Sequence, residues 1–284
     1  MKKSWKKALS LLLVSSVAAL ALVGCGSSSS DSGKTTDSGS KTGTATSATL
    51  DAIKQRGKLV AGVKFDTNLF GLKDPATGTV AGFDIDIAKA LAKDILGDES
   101  KIEFKEVTSK TRIPMLDKGD IDIIIATMTV TEDRKKQVNF SDIYFKAGQS
   151  LLVKQGSDIK SIDDLKAGKK VIAVKGSTSA INIKQKAPDA QILEFDDYAQ
   201  AFTALKSGKG DTLTTDNAIL MGMSQQDPSY VLTGGLFTDE PYGIASKHGD
   251  DEFTKYLNTF LKKINDSGDY ATIYKKWFKE DPKK

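Results

Sequence analysis

The stretch IDIIIA at residues 121–126 decides the fold class. An apolar run this short and nearly continuous is typical of a strand that is covered on both faces. Such strands occur in parallel sheets that carry helices on each side. The hydroxyl-rich segment TMTVTEDR follows at 127–134, where the strand ends and a helix begins. We therefore predict a sheet of the α/β class with this strand near its centre.

The residues before this run alternate short apolar segments with helical periodicity. Strands are predicted at 58–63 and 102–107, and Asp84 stands where it could cap a helix that ends at Gly97. A short helix at 114–119 then leads into the central strand. Strands and helices that alternate in this way favour an α/β fold.

The second half of the chain repeats the same order of elements. Ser161 and Asp164 have the spacing of a capping box, and 171–174 predicts a strand. Asp197 caps a further helix, which leads into a strand at 211–214. Because both halves contain helix, Gly, Asp and strand in succession, we expect two similar lobes rather than one large domain.

The beginning of the chain has the pattern of an export signal. Residues 1–24 hold four lysines among the first seven positions and then an apolar run too short to be a settled transmembrane helix. The sequence LVGC at 22–25 resembles the lipobox of bacterial lipoproteins, in which cleavage precedes a lipidated cysteine. A signal peptide followed by a chance cysteine is the alternative. Cys25 is the only cysteine, and residues 26–49 read as a flexible Ser/Thr/Gly tether.

The net charge argues against nucleic acid as a partner. The whole chain has 41 basic and 37 acidic residues, which gives a formal charge of +4. Loss of the four lysines in the export signal leaves equal numbers of both signs. A protein without excess positive charge lacks the electrostatic footprint of nucleic-acid binding.

Two strand ends supply candidate binding residues. Ligands of open α/β sheets bind beyond the carboxyl ends of the strands, which points to 127–134 and to TTD at 214–216. Hydroxyls with the guanidinium of Arg134 suit a carboxylate, and Asp216 suits an ammonium group. Each feature has an ordinary alternative: Thr131 as a helix cap, Arg134 in a surface ion pair, and Asp216 as a helix cap.

Two sequence blocks carry a resemblance to a known family. GFDIDIA at 82–88 is similar to the signature of the family 3 bacterial solute-binding proteins, which serve polar amino-acid ABC transporters. TMTVTEDR, with VNFS at 138–141, resembles their second shared block. The resemblance extends over 50–284 and implies a type II periplasmic-binding-protein fold, with two α/β lobes joined by a two-strand hinge. One lobe would comprise 50–146 plus 242–284, and the other 147–241.

The resemblance also implies roles for individual residues. In the family, the ligand α-carboxylate is held by the residues that match Thr129 and Arg134, with help from Thr178 of the other lobe. The α-ammonium group is held by the acid that matches Asp216 and by the backbone carbonyl at Thr127.

Substrate preference depends on three further positions. GVKFD at 62–66 and KTRIP at 110–114 look most like the glutamate and aspartate binders. An acidic side chain needs a positive partner, and Lys64, Arg112 and Lys175 all match pocket-lining positions in relatives, so these three are the candidates. The alternative for Arg112 is an ordinary ion pair with Asp117 or Glu106. Glutamine or another polar amino acid is the alternative ligand.

The resemblance implies a monomeric, extracytoplasmic receptor on the cell membrane, held by a lipid anchor. Its partners would be a free amino acid, with glutamate or aspartate preferred, and the permease of an ABC importer. It would be no enzyme and would carry no cofactor or metal ion. A cyclohexadienyl-dehydratase-like enzyme and a surface adhesin or sensor are the competing interpretations.

Overall fold

The computed structural model describes residues 46–166 and 168–282. The predicted export signal, Cys25 and the part of the predicted tether up to residue 45 therefore lie outside the described residues. The folded part begins before residue 50, because Ser47 caps the first helix and its hydroxyl donates to Asp250 Oδ2 at 2.9 Å. In the described residues, no helix is both long and apolar enough to cross a membrane.

The α-helices of the described chain have the following bounds: α1 Ala48–Arg56, α2 Phe83–Leu96, α3 Arg112–Asp117, α4 Glu132–Lys135, α5 Thr178–Lys186, α6 Tyr198–Lys206, α7 Asn217–Gln226, α8 Asp251–Asp266 and α9 Asp269–Phe278. The strands are β1 Leu59–Val63, β2 Asp66–Thr67, β3 Gly71–Lys73, β4 Val80–Ala81, β5 Ile102–Glu106, β6 Ile123–Ile124, β7 Val138–Ala147, β8 Gln149–Lys154, β9 Lys170–Val174, β10 Gln191–Phe195, β11 Thr212–Asp216, β12 Tyr230–Thr233 and β13 Glu240–Lys247.

Two five-stranded sheets organise the molecule, and they share one topology. The first has the order β5-β1-β6-β13-β7, and the second has the order β10-β9-β11-β8-β12. In each, the first three strands are parallel, the fourth is antiparallel to the third, and the fifth is antiparallel to the fourth. The prediction of two similar α/β lobes is confirmed.

The chain passes between the lobes twice. The first crossing lies between β7 and β8, and the second lies between β12 and β13. β7 and β13 pair side by side, with Ala147 opposite Glu240, so the two crossings form a two-strand hinge. The residue limits given above for the lobes remain a prediction.

The central strand is buried as the sequence predicts. Residues 123–126 have no exposed surface, and Ile121 is 2 % exposed. The regular strand covers only part of the run, since the chain turns away at Thr127, where φ is +45°.

The local start and stop signals are mostly confirmed. Ser161 and Asp164 form the capping box of a 3₁₀ turn, Asp197 accepts the N–H of Gln200 at 2.7 Å, and Gly97 closes α2. The capping role of Asp84 is wrong. Gly82 occupies the N-cap position of α2, and Asp84 lies inside the helix, buried against a neighbouring loop.

Candidate functional site

A small polar cavity lies between the two lobes at the strand ends that the sequence singled out. Its accessible volume is about 10 Å³, roughly the room that one water molecule needs. Six of the eight predicted binding residues line it: Arg112, Thr127, Thr129, Arg134, Thr178 and Asp216. The structure thus brings together residues up to about a hundred positions apart in sequence, from the ends of β6 and β11 and the start of α5.

Arg134 reaches the cavity from a one-turn helix. Thr131 caps this helix by accepting the N–H of Arg134 at 3.2 Å, so the predicted cap is present. The residue is 9 % exposed, and its guanidinium donates to the carbonyl of Thr129 at 2.7 Å and to that of Gly176, in the other lobe, at 3.2 Å. Burial lowers the pKa of Arg134, and the nearby carboxylate of Glu240 opposes this shift. The surface ion-pair alternative is therefore wrong.

Asp216 ends β11 and faces the same cavity. It occupies the N-cap position of α7 but makes no capping hydrogen bond with its side chain. Instead, the hydroxyl of Tyr242 donates to its carboxylate. Burial raises the pKa of Asp216 to about 7, and the neighbouring charge of Glu240 adds to the rise. The carboxylate is thus held among polar partners with little solvation, where a cationic ligand group would stabilise its ionised form.

Arg112 is almost fully buried, at 2 % exposure. Within the described chain, its guanidinium makes no ion pair; Nη1 donates to the carbonyl of Ala126 at 2.7 Å and lies 3.5 Å from that of Thr127. Its Nε is a buried nitrogen with no hydrogen-bond partner among the described residues. Burial, and then the charge of Arg134, lower its pKa to about 9. The expected alternative, an ion pair with Asp117 or Glu106, is wrong.

The two predicted lysines lie elsewhere. Lys64 is fully buried behind the cavity wall, with Nζ 3.4 Å from the hydroxyl of Ser109 and 4.9 Å from the ring centre of Tyr198. Burial lowers the pKa of Lys64 to about 8. The structure does not bring Lys175 to the cavity, because its side chain is 41 % exposed and pairs with Asp196 at 2.8 Å.

Two of the predicted threonines meet across the cleft between the lobes. Thr129 Oγ1 lies 3.5 Å from Thr178 Oγ1 across the cleft. The hydroxyl of Thr178 donates to Glu240 Oε2 at 2.7 Å and accepts from Gln149 Nε2 at 3.2 Å. Because a carboxylate only accepts, the single hydroxyl proton of Thr178 is committed to Glu240.

Sequence reasoning missed several residues of the cavity wall: Ser109, Ser177, Ser179 and Tyr198. Thr215, which also lines the cavity, belongs to the segment 214–216 that the strand ends indicated. Ser177 caps α5 and Tyr198 follows the cap of α6, so a search of the residues flanking helix starts could have found both. No local pattern marks Ser109, which enters the site through the turn that precedes α3.

The lobes also contact each other beside the cavity. The N–H of Tyr198 donates to Asp66 Oδ2 at 2.7 Å, and Asn68 Nδ2 donates to the carbonyl of Gly222 at 2.9 Å. The enclosed space therefore presents guanidinium donors, hydroxyls and one carboxylate. This set can hold a small molecule that carries both a negative and a positive group.

Comparisons with known proteins agree with this geometry. The family model described as bacterial extracellular solute-binding proteins, family 3, matches residues 59–280. The ABC transporter glutamine-binding protein GlnH of Bacillus subtilis is 61 % identical over 98 % of this chain and 99 % of its own length. A glutamine-binding protein of Geobacillus stearothermophilus is 58 % identical over 90 % of this chain and 98 % of its own. The glutamate-binding protein GluB of Corynebacterium glutamicum is 32 % identical, over 99 % of this chain and 93 % of its own.

Solved structures show the same architecture. An arginine-binding protein of T. maritima is similar with a TM-score of 0.75 and 36 % identity, over 82 % of this chain and 100 % of that one. An ancestral arginine-binding protein bound to glutamine has a TM-score of 0.74 and 46 % identity, over 79 % and 99 %. These neighbours confirm the type II periplasmic-binding-protein fold. The chain belongs to the family 3 bacterial extracellular solute-binding proteins.

Proposed function

We propose that the protein is the extracytoplasmic substrate-binding component of an ABC importer and that its ligand is L-glutamine. The observation that carries the ligand is the 61 % identity, over nearly the whole chain, to a protein named for glutamine binding. Proteins named for glutamate binding are about half as similar, at 32 %. The expectation of glutamate or aspartate as ligand is therefore replaced by its alternative.

The charges that line the cavity are compatible with a neutral side chain. Arg134 and Thr129 would take the α-carboxylate, while Asp216 and the carbonyl of Thr127 would take the α-ammonium group. Arg112 then faces the side chain, where its guanidinium can donate to an amide oxygen as well as to a carboxylate. The presence of a buried arginine alone does not select the acid.

Thr178 would contribute in a particular way. Its hydroxyl proton is already donated to Glu240. As the first residue of α5, its backbone N–H lacks a partner within the helix. We expect Thr178 to approach the α-carboxylate through this N–H rather than through its hydroxyl.

The proposed location rests on the beginning of the chain. The export signal and the lipobox-like LVGC at 22–25 favour an anchored protein on the outer face of the cell membrane. Its role would be capture and delivery to a permease, without chemistry on the amino acid. A dehydratase on this fold would need a general acid or base in the cleft besides Asp216, the proposed partner of the ammonium group.

Isothermal titration of residues 46–284 with each of the twenty amino acids tests the proposal. We expect L-glutamine to bind most tightly, with L-glutamate at least tenfold weaker. A ligand at 100 times its Kd should also stabilise the protein by about 2.7 kcal/mol, which a thermal-shift measurement detects. Tighter binding of L-glutamate than of L-glutamine would overturn the ligand, and no binding of any amino acid would overturn the function.

A further inference from the structure

The motif GFDIDIA at 82–88 contributes no residue to the cavity wall, yet one of its side chains touches a residue that does. Asp84 has no exposed surface. Its Oδ2 accepts the backbone N–H of Thr127 at 2.9 Å, and its Oδ1 accepts the hydroxyl of Tyr144 at 2.9 Å. The carboxylate therefore connects the start of α2 to the binding loop and to hinge strand β7.

Thr127 is the residue that most needs such support. Its φ of +45° lies in the left-handed region, which a β-branched residue seldom adopts. The same residue lines the cavity, and its carbonyl lies 3.5 Å from Arg112 Nη1. If Thr127 relaxed to an ordinary φ, the two carbonyls that orient Arg112 would move with it.

Asp84 is itself held in a fixed place. A Cβ added at Gly82 would lie 2.0 Å from the carbonyl oxygen of Phe70, so the backbone packs there without room for a side chain. The N–H of Asp84 donates to the same carbonyl at 3.1 Å. Phe83 stacks on the ring of Tyr144 with centroids 6.2 Å apart. These contacts fix the position from which the carboxylate holds the loop.

A purely structural position of this kind would favour an apolar residue. Burial raises the pKa of Asp84 to about 7, which reflects the cost of keeping a carboxylate away from water. The Asp84 carboxylate nevertheless accepts two hydrogen bonds, one from the binding loop and one from hinge strand β7, which an apolar side chain of similar size could not accept.

We propose that Asp84 is a positioning residue for ligand binding: it holds Thr127 in the left-handed conformation, so that the Thr127 carbonyl and the Arg112 guanidinium face the ligand. The inference rests on the proposed function, because L-glutamine is the probe.

The main test replaces Asp84 and its partner together. Asp84→Leu with Tyr144→Phe removes the acceptor without leaving the tyrosine hydroxyl unpaired, so the core stays apolar and filled. We expect this double variant to bind L-glutamine about 5- to 30-fold more weakly, which corresponds to the cost of about 1–2 kcal/mol of the left-handed conformation. Asp84→Asn should stay within about threefold of the wild type, because its amide oxygen still accepts the Thr127 N–H.

Asp86→Asn is the matched control. It makes the same chemical change two residues along the same helix, where the carboxylate instead accepts from Lys276 and from Trp277 Nε1 at 2.7 Å. We expect unchanged affinity for L-glutamine. Urea unfolding of every variant separates loss of binding from loss of folding.

Rescue distinguishes positioning from general support. Glycine adopts positive φ without steric cost, so in a Thr127→Gly background the loss caused by the double variant should shrink to less than about threefold. An equal loss in both backgrounds overturns the inference, and so does a double variant that binds within twofold of the wild type.

Two further outcomes are distinguishable. If the double variant does not fold, amide hydrogen exchange decides: the Thr127 N–H should be protected in the wild type and in Asp84→Asn, and free exchange in the wild type overturns the inference. A wild type that binds no amino acid overturns the proposed function and this inference with it. A wild type that binds L-glutamine with an unaffected double variant overturns this inference alone.

Discussion

Gly176 offers a way to obstruct the contact between the lobes without changing any side chain that meets the ligand. It precedes the cap of α5 with φ of +76°, and a Cβ added there would lie 2.9 Å from Cα and from N of Lys110, in the other lobe. Ordinary van der Waals contact begins at about 3.4 Å, and these two Lys110 atoms belong to the backbone, so they cannot turn aside. Gly176→Ala should therefore separate the lobes locally by about half an ångström, the difference between these two distances.

The consequence for binding follows from the neighbouring distances. The hydrogen bond from Arg134 Nη2 to the carbonyl of Gly176 measures 3.2 Å, and half an ångström more takes it beyond hydrogen-bond range. A hydrogen bond to a charged group is worth about 1.5–3 kcal/mol. We expect the Kd for L-glutamine, measured by isothermal titration, to rise about 10- to 150-fold.

Gly156→Ala is the matched control for this variant. Its φ is +80°, close to that of Gly176, but an added Cβ would meet nothing within 4 Å. It carries the same backbone penalty of about 1–2 kcal/mol in unfolding free energy, with no contact across the cleft. If Gly176→Ala and Gly156→Ala bind L-glutamine within twofold of each other, the contact between the lobes does not support binding.

Four further outcomes are expected. Arg134→Ala and Asp216→Ala should each weaken the binding of every amino acid by about 30- to 4,000-fold in titration, because each leaves a charged group of the bound ligand without its partner. Unchanged binding in either variant removes that residue from the site. Arg112→Ala should weaken L-glutamate more than L-glutamine, and equal losses would assign it a structural role. Because the pKa of Asp216 is raised to about 7, the folded state keeps a proton that the unfolded state releases near pH 4, so unfolding free energy falls as pH rises between these values. In urea unfolding of the ligand-free protein, the unfolding free energy of Asp216→Asn should fall less with rising pH than that of the wild type. A ligand with an ammonium group binds the ionised form of Asp216, so its affinity should rise over the same pH interval. Cys25→Ala should release the protein from membranes into the aqueous phase of a detergent partition, and full retention in the detergent phase would argue against the anchor.

Local sequence signals determined the elements of the fold. These signals depend only on residues a few positions apart, because caps and apolar periodicity involve near neighbours along the chain. Examples are the apolar run at 121–126, the capping residues Ser161 and Asp197, and Gly97 at the end of α2. The strand-end rule also found 127–134 and 214–216, since polar residues after a buried strand lie at the same edge of a parallel sheet. These signals were sufficient for the α/β class and for five of the eleven residues that line the cavity.

The tertiary structure decided which side chain meets which partner. Asp84 was expected to cap its own helix, but its carboxylate lies 2.9 Å from the N–H of Thr127, 43 residues away. Lys64 lies behind the cavity wall and Lys175 on the surface, although both belong to segments that match pocket-lining positions of relatives. Thr178 is bound to Glu240 across 62 residues.

The physical reason is that caps and periodicity are set by short-range geometry, whereas burial and pairing depend on how two lobes pack. A carboxylate among apolar side chains takes whichever donors the packing brings to it, since an unpaired buried charge is costly. Sequence by itself therefore determined the helices, the strands and the residues available at their ends. Only the packing of the lobes decided which of those residues share a cavity and which one holds Thr127 in place.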